Sequence, residues 1–149
     1  MSGERPWFRA GVAAFIWRPD SDTYLLVRRS AGKNYAAGEW WLVTGTVEAN
    51  EGFAGALERE VIEELGSAVA DSVILETTHF NRDSEDWLSA SFLCTLKNPD
   101  HLVLNAEHDA FEWVNAAQLA SIAKAAKYPT DWVMTGLELA ERVKKNLAH

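Results

Sequence analysis

Residues 45–66 hold the most informative stretch of this chain: Gly45-Thr46-Val47-Glu48-Ala49-Asn50-Glu51, then seven residues, then Arg59-Glu60-Val61-Ile62-Glu63-Glu64-Leu65-Gly66. Glu63 and Glu64 lie three and four positions after Glu60, so on an α-helix all three share one face. Like charges at this spacing repel and destabilise an isolated helix, so a bound cation is a natural reason to keep them together. The stretch therefore predicts a helix that presents carboxylates to a divalent cation.

An apolar stripe runs along the same predicted helix. Leu57, Val61 and Leu65 recur every four residues and can anchor the helix to a core. At about 100° of rotation per residue, the glutamates fall beside this stripe and within roughly 100° of arc. We therefore expect the acidic groups to point into a cleft. Gly66 is well placed to end the helix, because Gly is the usual residue just past a helix C-terminus.

The whole string resembles the signature of the Nudix hydrolase family, in which these residue types stand at fixed spacings. Eight positions fit that register: Gly45, Glu51, Arg59, Glu60, Val61, Glu63, Glu64 and Gly66. The chain departs from the pattern at Ser67, where the family has an aliphatic residue, and at Thr44 and Asn50, where many members have Gly. The resemblance implies one Nudix domain over residues 1–149, with its motif at 45–67. It also implies an α/β/α sandwich around a mixed central sheet.

The resemblance further implies a site for Mg²⁺, or for Mn²⁺ in its place, since hard cations take oxygen ligands and substrate phosphates. The main ligands would be Glu60 and Glu64, with Glu63 assisting directly or through water and a backbone carbonyl near Gly45 completing the set. Such a site activates water and neutralises charge on a pyrophosphate. A further carboxylate commonly comes from outside the motif, and Glu107 is the candidate. Glu63 and Glu107 both stay open as the catalytic base.

The segment around Glu107 contains rival groups. Asp109 and Glu112 are alternative acidic ligands, and an ordinary surface charge explains any of the three equally well. His108 could contact phosphate or act as an acid. A single histidine in a loop is more often incidental, so we expect His108 to have no role.

Three residues of the motif are expected to be structural. In the family, Glu51 and Arg59 form an ion pair that holds the loop against the helix, and Gly66 ends that helix. Removing one partner of a buried pair costs about 3–5 kcal/mol, because the other charge is left stranded. Loss of activity on changing Arg59 would therefore not establish a chemical role.

Two pairs of neighbouring residues are candidate substrate contacts. Arg28 and Arg29 end a predicted strand, and only one can face the cleft because successive strand residues point to opposite faces. Arg suits bidentate phosphate contact, and in the family a basic residue here often touches phosphate. Trp40 and Trp41 alternate in the same way. Core packing is favoured for both rings, and Trp40 is the candidate for stacking on a base or pterin.

Composition sets outer limits on function. The chain has 149 residues, 48% of them hydrophobic, and a net charge of −8, which argues against a nucleic-acid polymer as partner because such binding rests on Lys and Arg. Cys94 lies in an apolar run and is expected to be a buried thiol. No apolar run approaches the length of a membrane span, so we expect a soluble cytoplasmic protein without membrane contact. A homodimer and a monomer both stay open.

Strand and helix signals alternate along the chain. Strands are predicted at residues 8–17, 23–29, 40–43, 73–80, 87–96 and 111–114, with a polar loop at 81–86. Helices are predicted from about residue 52 or 53 to 65, at 116–127 and at 131–146, the last capped near Thr130. Mixed strands with helices on either side fit the sandwich.

Within the family, the chain most resembles the bacterial dihydroneopterin triphosphate pyrophosphatases, which also act on deoxyadenosine triphosphate. The resemblance rests on residues 41–48 and on Glu107-His108 followed by Phe111, Trp113 and Val114. It implies hydrolysis of a nucleoside or pterin triphosphate by water attack on phosphorus. Two alternatives remain: a catalytically weak nucleotide-binding regulatory module, and a hydrolase of a dinucleoside polyphosphate or coenzyme A. The intact glutamates of the motif favour an enzyme.

Overall fold

The structure is a computed structural model that describes residues 5–33, 36–126 and 130–147. Within these residues it contains seven strands and three α-helices. Lys127, the last residue of one predicted helix, lies outside the described residues. The strands are β1 Arg9–Arg18, β2 Thr23–Arg29, β3 Trp40–Trp41, β4 Val43–Thr46, β5 Val69–Arg82, β6 Glu85–Leu96 and β7 His108–Val114. The helices are α1 Phe53–Leu65, α2 Ala116–Ala125 and α3 Asp131–Val143, and α3 is followed by a 3₁₀ turn, Lys144–Asn146.

The strands form one mixed sheet that divides at β1. From Arg9 to Ile16, β1 pairs in parallel with β6, which in turn pairs antiparallel with β5. On its other edge, β1 pairs with β4 from Gly11 to Ala14 and with β2 at Trp17 and Arg18. Strands β3 and β7 pair with β2, so this part of the sheet diverges from the β4 part. A cleft opens where the two parts separate.

Each face of the sheet carries its own core, which confirms the predicted α/β/α sandwich. On one face, Leu57 and Val61 of α1 pack against Val12 and Ile16 of β1. On the other face, Phe15 of β1 packs with residues of α2 and α3. A strand covered on both sides is apolar along its length, and seven consecutive residues of β1 are buried.

The predicted helix of the motif is confirmed, including its end. Gly66 has φ 68°, a left-handed conformation that glycine adopts without a steric penalty, and its N–H donates to the carbonyl of Ile62. The second helix begins with a capping box in which Asn115 and Gln118 bond each other's backbone N–H groups. Thr130 takes the cap position of α3 as predicted, but its side chain makes no capping hydrogen bond.

The predicted polar loop at residues 81–86 is wrong. Strand pairing continues to Arg82 opposite Glu85, and the turn consists of Asp83 and Ser84 alone, both with positive φ. Two consecutive left-handed residues suit a tight hairpin, although Gly is the residue more often used there. The polar side chains indicated a loop because this hairpin end is exposed to solvent, not because the backbone leaves the sheet.

Candidate active site

The cleft has a volume of about 760 Å³ and is lined by both parts of the sheet. Gly45 and Thr46 of β4 form its wall near α1, and β5 forms the opposite wall. Glu64 of α1 reaches it from one face of the sheet, and Trp132 of α3 reaches it from the other. Residues far apart in sequence therefore meet around one concave surface, where ligand sites are usually found.

Glu64 is the most buried carboxylate of the predicted set. It is 2% exposed, because it lies beside the apolar stripe that fixes α1 to the core. Its Oε1 lies 2.6 Å from Nε2 of His108, while Oε2 is buried with no hydrogen-bond partner among the described residues. A buried carboxylate oxygen is costly to leave unpaired, so this atom is a candidate ligand for a cation.

Glu107 and His108 join Glu64 at the start of β7. One donor atom from each of the three lies within 4.8 Å of the others, a compact set that could hold a metal ion. The loop before β7 is held in place: the backbone N–H of Ser30 donates to the Glu107 carbonyl, and the Asn105 side chain accepts from the Glu107 N–H. These bonds fix Glu107 beside the helix of the motif.

The expected loop position of His108 is wrong, because the residue is buried at the start of β7. Its side chain is 7% exposed and bonds Glu64 through one ring nitrogen. The other nitrogen, Nδ1, is buried without a partner in the described part of the chain. His108 is the first residue of β7 rather than part of a loop, and this pairing turns it inwards. Sequence spacing gave no signal for that, because the contact joins residues 44 positions apart.

Burial, more than crowding, raises the proton affinity of the carboxylates in this site. Burial raises the pKa of Glu64 to about 7; the His108 bond opposes this rise, and the charges of Glu60 and Glu107 add to it. Burial likewise raises the pKa of Glu60 above its usual range, against the effect of Arg59. A divalent cation would relieve both desolvation and mutual repulsion, so this environment suits one.

Glu60 lies directly over Gly45. A Cβ atom at position 45 would come within 2.5 Å of Glu60 Oε1 and still closer to the carboxyl carbon. Only a residue without a side chain lets the glutamate approach the β4 backbone here. This close approach puts Glu60 beside the backbone from which a further ligand carbonyl is expected.

Arg59 binds several groups of the motif together. Its guanidinium lies 2.7 Å from Glu51, 2.9 Å from Glu60 and 3.3 Å from Glu63, and it donates to the Thr46 carbonyl. The hydrogen bond from Arg59 lowers the pKa of Glu51 below its usual range. The ion pair expected between Glu51 and Arg59 is thus present and ties the loop to α1.

Glu63 is placed differently from its two neighbours. Its side chain is 54% exposed, and its carboxylate accepts from Arg59 at the edge of the site. Neither Glu63 nor Glu60 lines the cleft, whereas Glu64 and Glu107 do. Glu60 is largely buried against Gly45 beside the cleft, and Glu63 lies at the rim.

The strand pairing settles which member of each substrate-contact pair faces the cleft. Arg29 and Trp41 line it. Arg28 instead bonds Asp109 at the surface and lies 5.6 Å from the ring of Trp40, its partner on β3. Neither Arg28 nor Trp40 lines the cleft, so Trp40 is replaced by its neighbour as the candidate stacking residue.

The departures from the family motif are accommodated locally. Asn50 has φ 66°, and Asn tolerates this left-handed region better than most residues, which is why it can stand where many members have Gly. Ser67 is 2% exposed, and its hydroxyl accepts a hydrogen bond from the backbone N–H of Asn98. A polar side chain is therefore satisfied at a position where the family has an aliphatic one.

Residues 7–134 match the NUDIX domain family. A nucleoside triphosphatase NudI from Salmonella schwarzengrund is 31% identical over 108 residues, covering 65% of this chain and 76% of that protein. A putative nudix hydrolase 1 from Caenorhabditis elegans is 30% identical over 112 residues, covering 72% of this chain; the chain spans 29% of that protein's length.

A solved structure supports the same assignment at the level of fold. A MutT protein from Methanosarcina mazei matches with a TM-score of 0.71 at 24% identity, covering 96% of this chain and 99% of that one. The chain therefore belongs to the Nudix hydrolase family, as its motif predicted. Among the described helices, none is both long and apolar enough to cross a membrane.

Proposed function

We propose that this chain is a Mg²⁺-dependent pyrophosphohydrolase of nucleoside or pterin triphosphates. One observation carries the proposal: in the described structure Glu64 is buried at the cleft with an unpartnered oxygen, and Glu107 and His108 lie beside it. An isolated carboxylate is not normally buried. A cation shared between protein oxygens and substrate phosphates would explain why Glu64 is buried with an unpaired oxygen.

The residues present fit a hard divalent cation. Glu60, Glu64 and Glu107 would hold it through oxygen, with the Gly45 carbonyl as a further ligand and Glu63 assisting from the rim. His108 would orient Glu64 through its 2.6 Å contact, as groups behind a metal ligand usually do. When bound, such an ion supplies charge neutralisation and lowers the pKa of water.

The other groups of the cleft suit a phosphate chain and a flat ring. Arg29 lines the cleft, and its Nε is buried without a hydrogen-bond partner in the residues described, so it is free to donate to a phosphate oxygen. Trp41 and Trp132 meet edge to face at 5.9 Å and form an aromatic wall for a base or pterin. Glu107 and Glu63 are the side chains that could accept the proton of the attacking water.

The choice of a triphosphate rests on both the site and the relatives. The Salmonella relative is named a nucleoside triphosphatase. Binding a substrate with several phosphates to a chain of net charge −8 requires local positive charge, which a cation and Arg29 would supply.

A substrate panel tests the proposal. Nucleoside triphosphates and dihydroneopterin triphosphate are incubated with the protein in Mg²⁺ or in EDTA, and released pyrophosphate is measured. We expect turnover in Mg²⁺ only, and loss of most activity in Glu64→Gln with the melting temperature retained. Glu58→Gln, at an exposed position on the same helix, is the matched control and should behave as wild type. An unaltered rate for Glu64→Gln would overturn the metal assignment, and nucleotide binding without any turnover would favour a regulatory binding module.

A further inference from the structure

Glu76 is a carboxylate on the cleft wall that the proposed metal site does not use. It lies on β5, its Oε1 is buried, and that oxygen has no hydrogen-bond partner among residues the structure describes. It is not part of the compact group formed by Glu64, Glu107 and His108. Buried polar atoms are normally hydrogen-bonded. An unpaired carboxylate oxygen that faces the cleft therefore indicates that a bound ligand donates the missing hydrogen bond.

A β-bulge turns Glu76 towards the cleft. On the opposite strand Ile74 faces Phe92 and Glu76 faces Ser91, so Leu75 is the extra residue. Side chains directly opposite each other on antiparallel strands share a face. Phe92 packs into the core beneath α1, and therefore Ser91 and Glu76 point the other way. Bulges often re-aim a side chain beside an active site, and this one does so for a carboxylate.

The surroundings of Glu76 suit the edge of a flat heterocycle. Thr78 follows it on the same wall of the cleft, and Ser89 of β6 lies opposite Thr78. Trp41 and Trp132 line the same cleft from β3 and α3. The two indoles and the polar groups of β5 therefore line one cleft, in which a ring and its polar edge can be bound together.

The chemistry of a carboxylate selects among such edges. Its two oxygens accept hydrogen bonds side by side, so the best partner presents two adjacent N–H donors. Guanine and pterins have this pattern, a ring N–H next to a 2-amino group. Adenine and cytosine place a ring nitrogen lone pair beside their amino group, and uracil places carbonyls on both sides of its single N–H.

We propose that Glu76 is a specificity-determining residue that binds the 2-amino-oxo edge shared by guanine and pterins. This inference rests on the proposed function, in which the cleft takes a nucleoside or pterin triphosphate. Glu76 makes no contact with the reacting phosphates in this assignment, so its effect falls on binding of the ring.

Binding of monophosphates tests the inference without any need for turnover. Affinities of GMP, IMP and AMP are measured by calorimetry for wild type, Glu76→Gln and the control Glu58→Gln, which is exposed and outside the cleft. IMP lacks the 2-amino group and AMP reverses the donor pattern, so wild type should bind GMP most tightly. Losing a charge-assisted hydrogen bond should weaken GMP binding to Glu76→Gln by about ten- to a hundredfold. The affinity of this variant for IMP should fall less than its affinity for GMP. Its affinity for AMP should be unchanged or higher, because an amide can both donate and accept.

Steady-state kinetics then distinguishes guanine from pterin, the two rings that carry this edge. With GTP, ITP, ATP and dihydroneopterin triphosphate, Glu76→Gln should raise KM for GTP and for the pterin while kcat changes little. For the wild-type protein, kcat/KM is compared between GTP and dihydroneopterin triphosphate. The substrate with the larger value identifies the ring as guanine or pterin. Equal weakening of all three monophosphates by Glu76→Gln, or no wild-type preference for GMP over IMP, would overturn the inference. Glu76-dependent GMP binding without hydrolysis of any triphosphate would instead reject only the proposed function.

Discussion

Replacing Gly45 with alanine should remove most activity while leaving the fold largely intact. The added methyl would lie 2.2 Å from the carboxyl carbon of Glu60, and the carboxylate must move by about 1.2 Å to reach an ordinary contact of 3.4 Å. Glu60 has few alternative positions, because Arg59 holds it at 2.9 Å and burial surrounds the rest of the side chain. The carboxylate would therefore be displaced from the place where a cation would meet it.

The size of the effect follows from that displacement. Misplacing a reacting or positioning group by about 1 Å costs roughly a hundredfold in rate. That factor equals about 2.7 kcal/mol of activation free energy. The free energy of unfolding should fall by about 1–3 kcal/mol, the usual cost of overpacking, because Glu60 must shift within a partly buried site.

Three measurements check this prediction: kcat/KM for pyrophosphate release, Mn²⁺ affinity by electron paramagnetic resonance, and urea unfolding. Gly55→Ala is the matched control, because the nearest atom to its added Cβ is 3.7 Å away and alanine favours a helix. We expect the control to keep full activity and Gly45→Ala to lose both rate and Mn²⁺ affinity. If Gly45→Ala binds Mn²⁺ like wild type and keeps its rate within threefold, the proposed role of Glu60 at Gly45 is wrong.

Three further outcomes concern the scaffold. Gly136→Ala should lower the free energy of unfolding by about 1–3 kcal/mol, because its Cβ would lie 2.6 Å from the fully buried ring of Phe15; urea unfolding measures this, and an unchanged midpoint would contradict it. Arg59 lowers the pKa of Glu51, so this carboxylate stabilises the fold above its usual pKa of 4.5 and loses that effect as pH falls through the lowered value. Glu51→Gln should therefore be less stable than wild type at pH 7, and the two should converge in acid; equal stability at pH 7 would refute this. Burial raises the pKa of Cys94 to about 12, so a thiol reagent at pH 8 should modify the native protein far more slowly than the protein in urea, and equal rates would show that the thiol is accessible.

Local patterns in the sequence predicted the helix of the motif almost completely. The apolar spacing from Leu57 to Leu65 specifies its buried face, and Gly66 specifies its end, because both signals act within a few residues. The same spacing predicts that glutamates stand beside the core. It does not say how far each one turns inwards, and the structure separates buried Glu64 from exposed Glu63.

Pairing between segments that are distant in the sequence determines which side chains face the cleft, and local patterns do not predict it. Trp40 and Trp41 are equivalent in a strand pattern until Arg28 and Val27 are assigned as their partners on β2. Nothing within its own segment distinguishes His108, so the local sequence does not predict that it is buried. Its burial arises only when β7 pairs with β2 and approaches α1, so it depends on the tertiary fold.

Glu76 shows the same dependence in its strongest form. Counted by simple alternation, Ile74 and Glu76 would point to the same face of β5. The register shift between them reverses this, and one extra residue decides whether the Glu76 side chain points away from the cleft or lines it. A bulge changes the face of every residue beyond it, so Thr78 and Phe80 enter the cleft wall together with Glu76. Substrate choice in this chain is therefore proposed to depend on strand register, a property that the motif at residues 45–67 neither requires nor reveals.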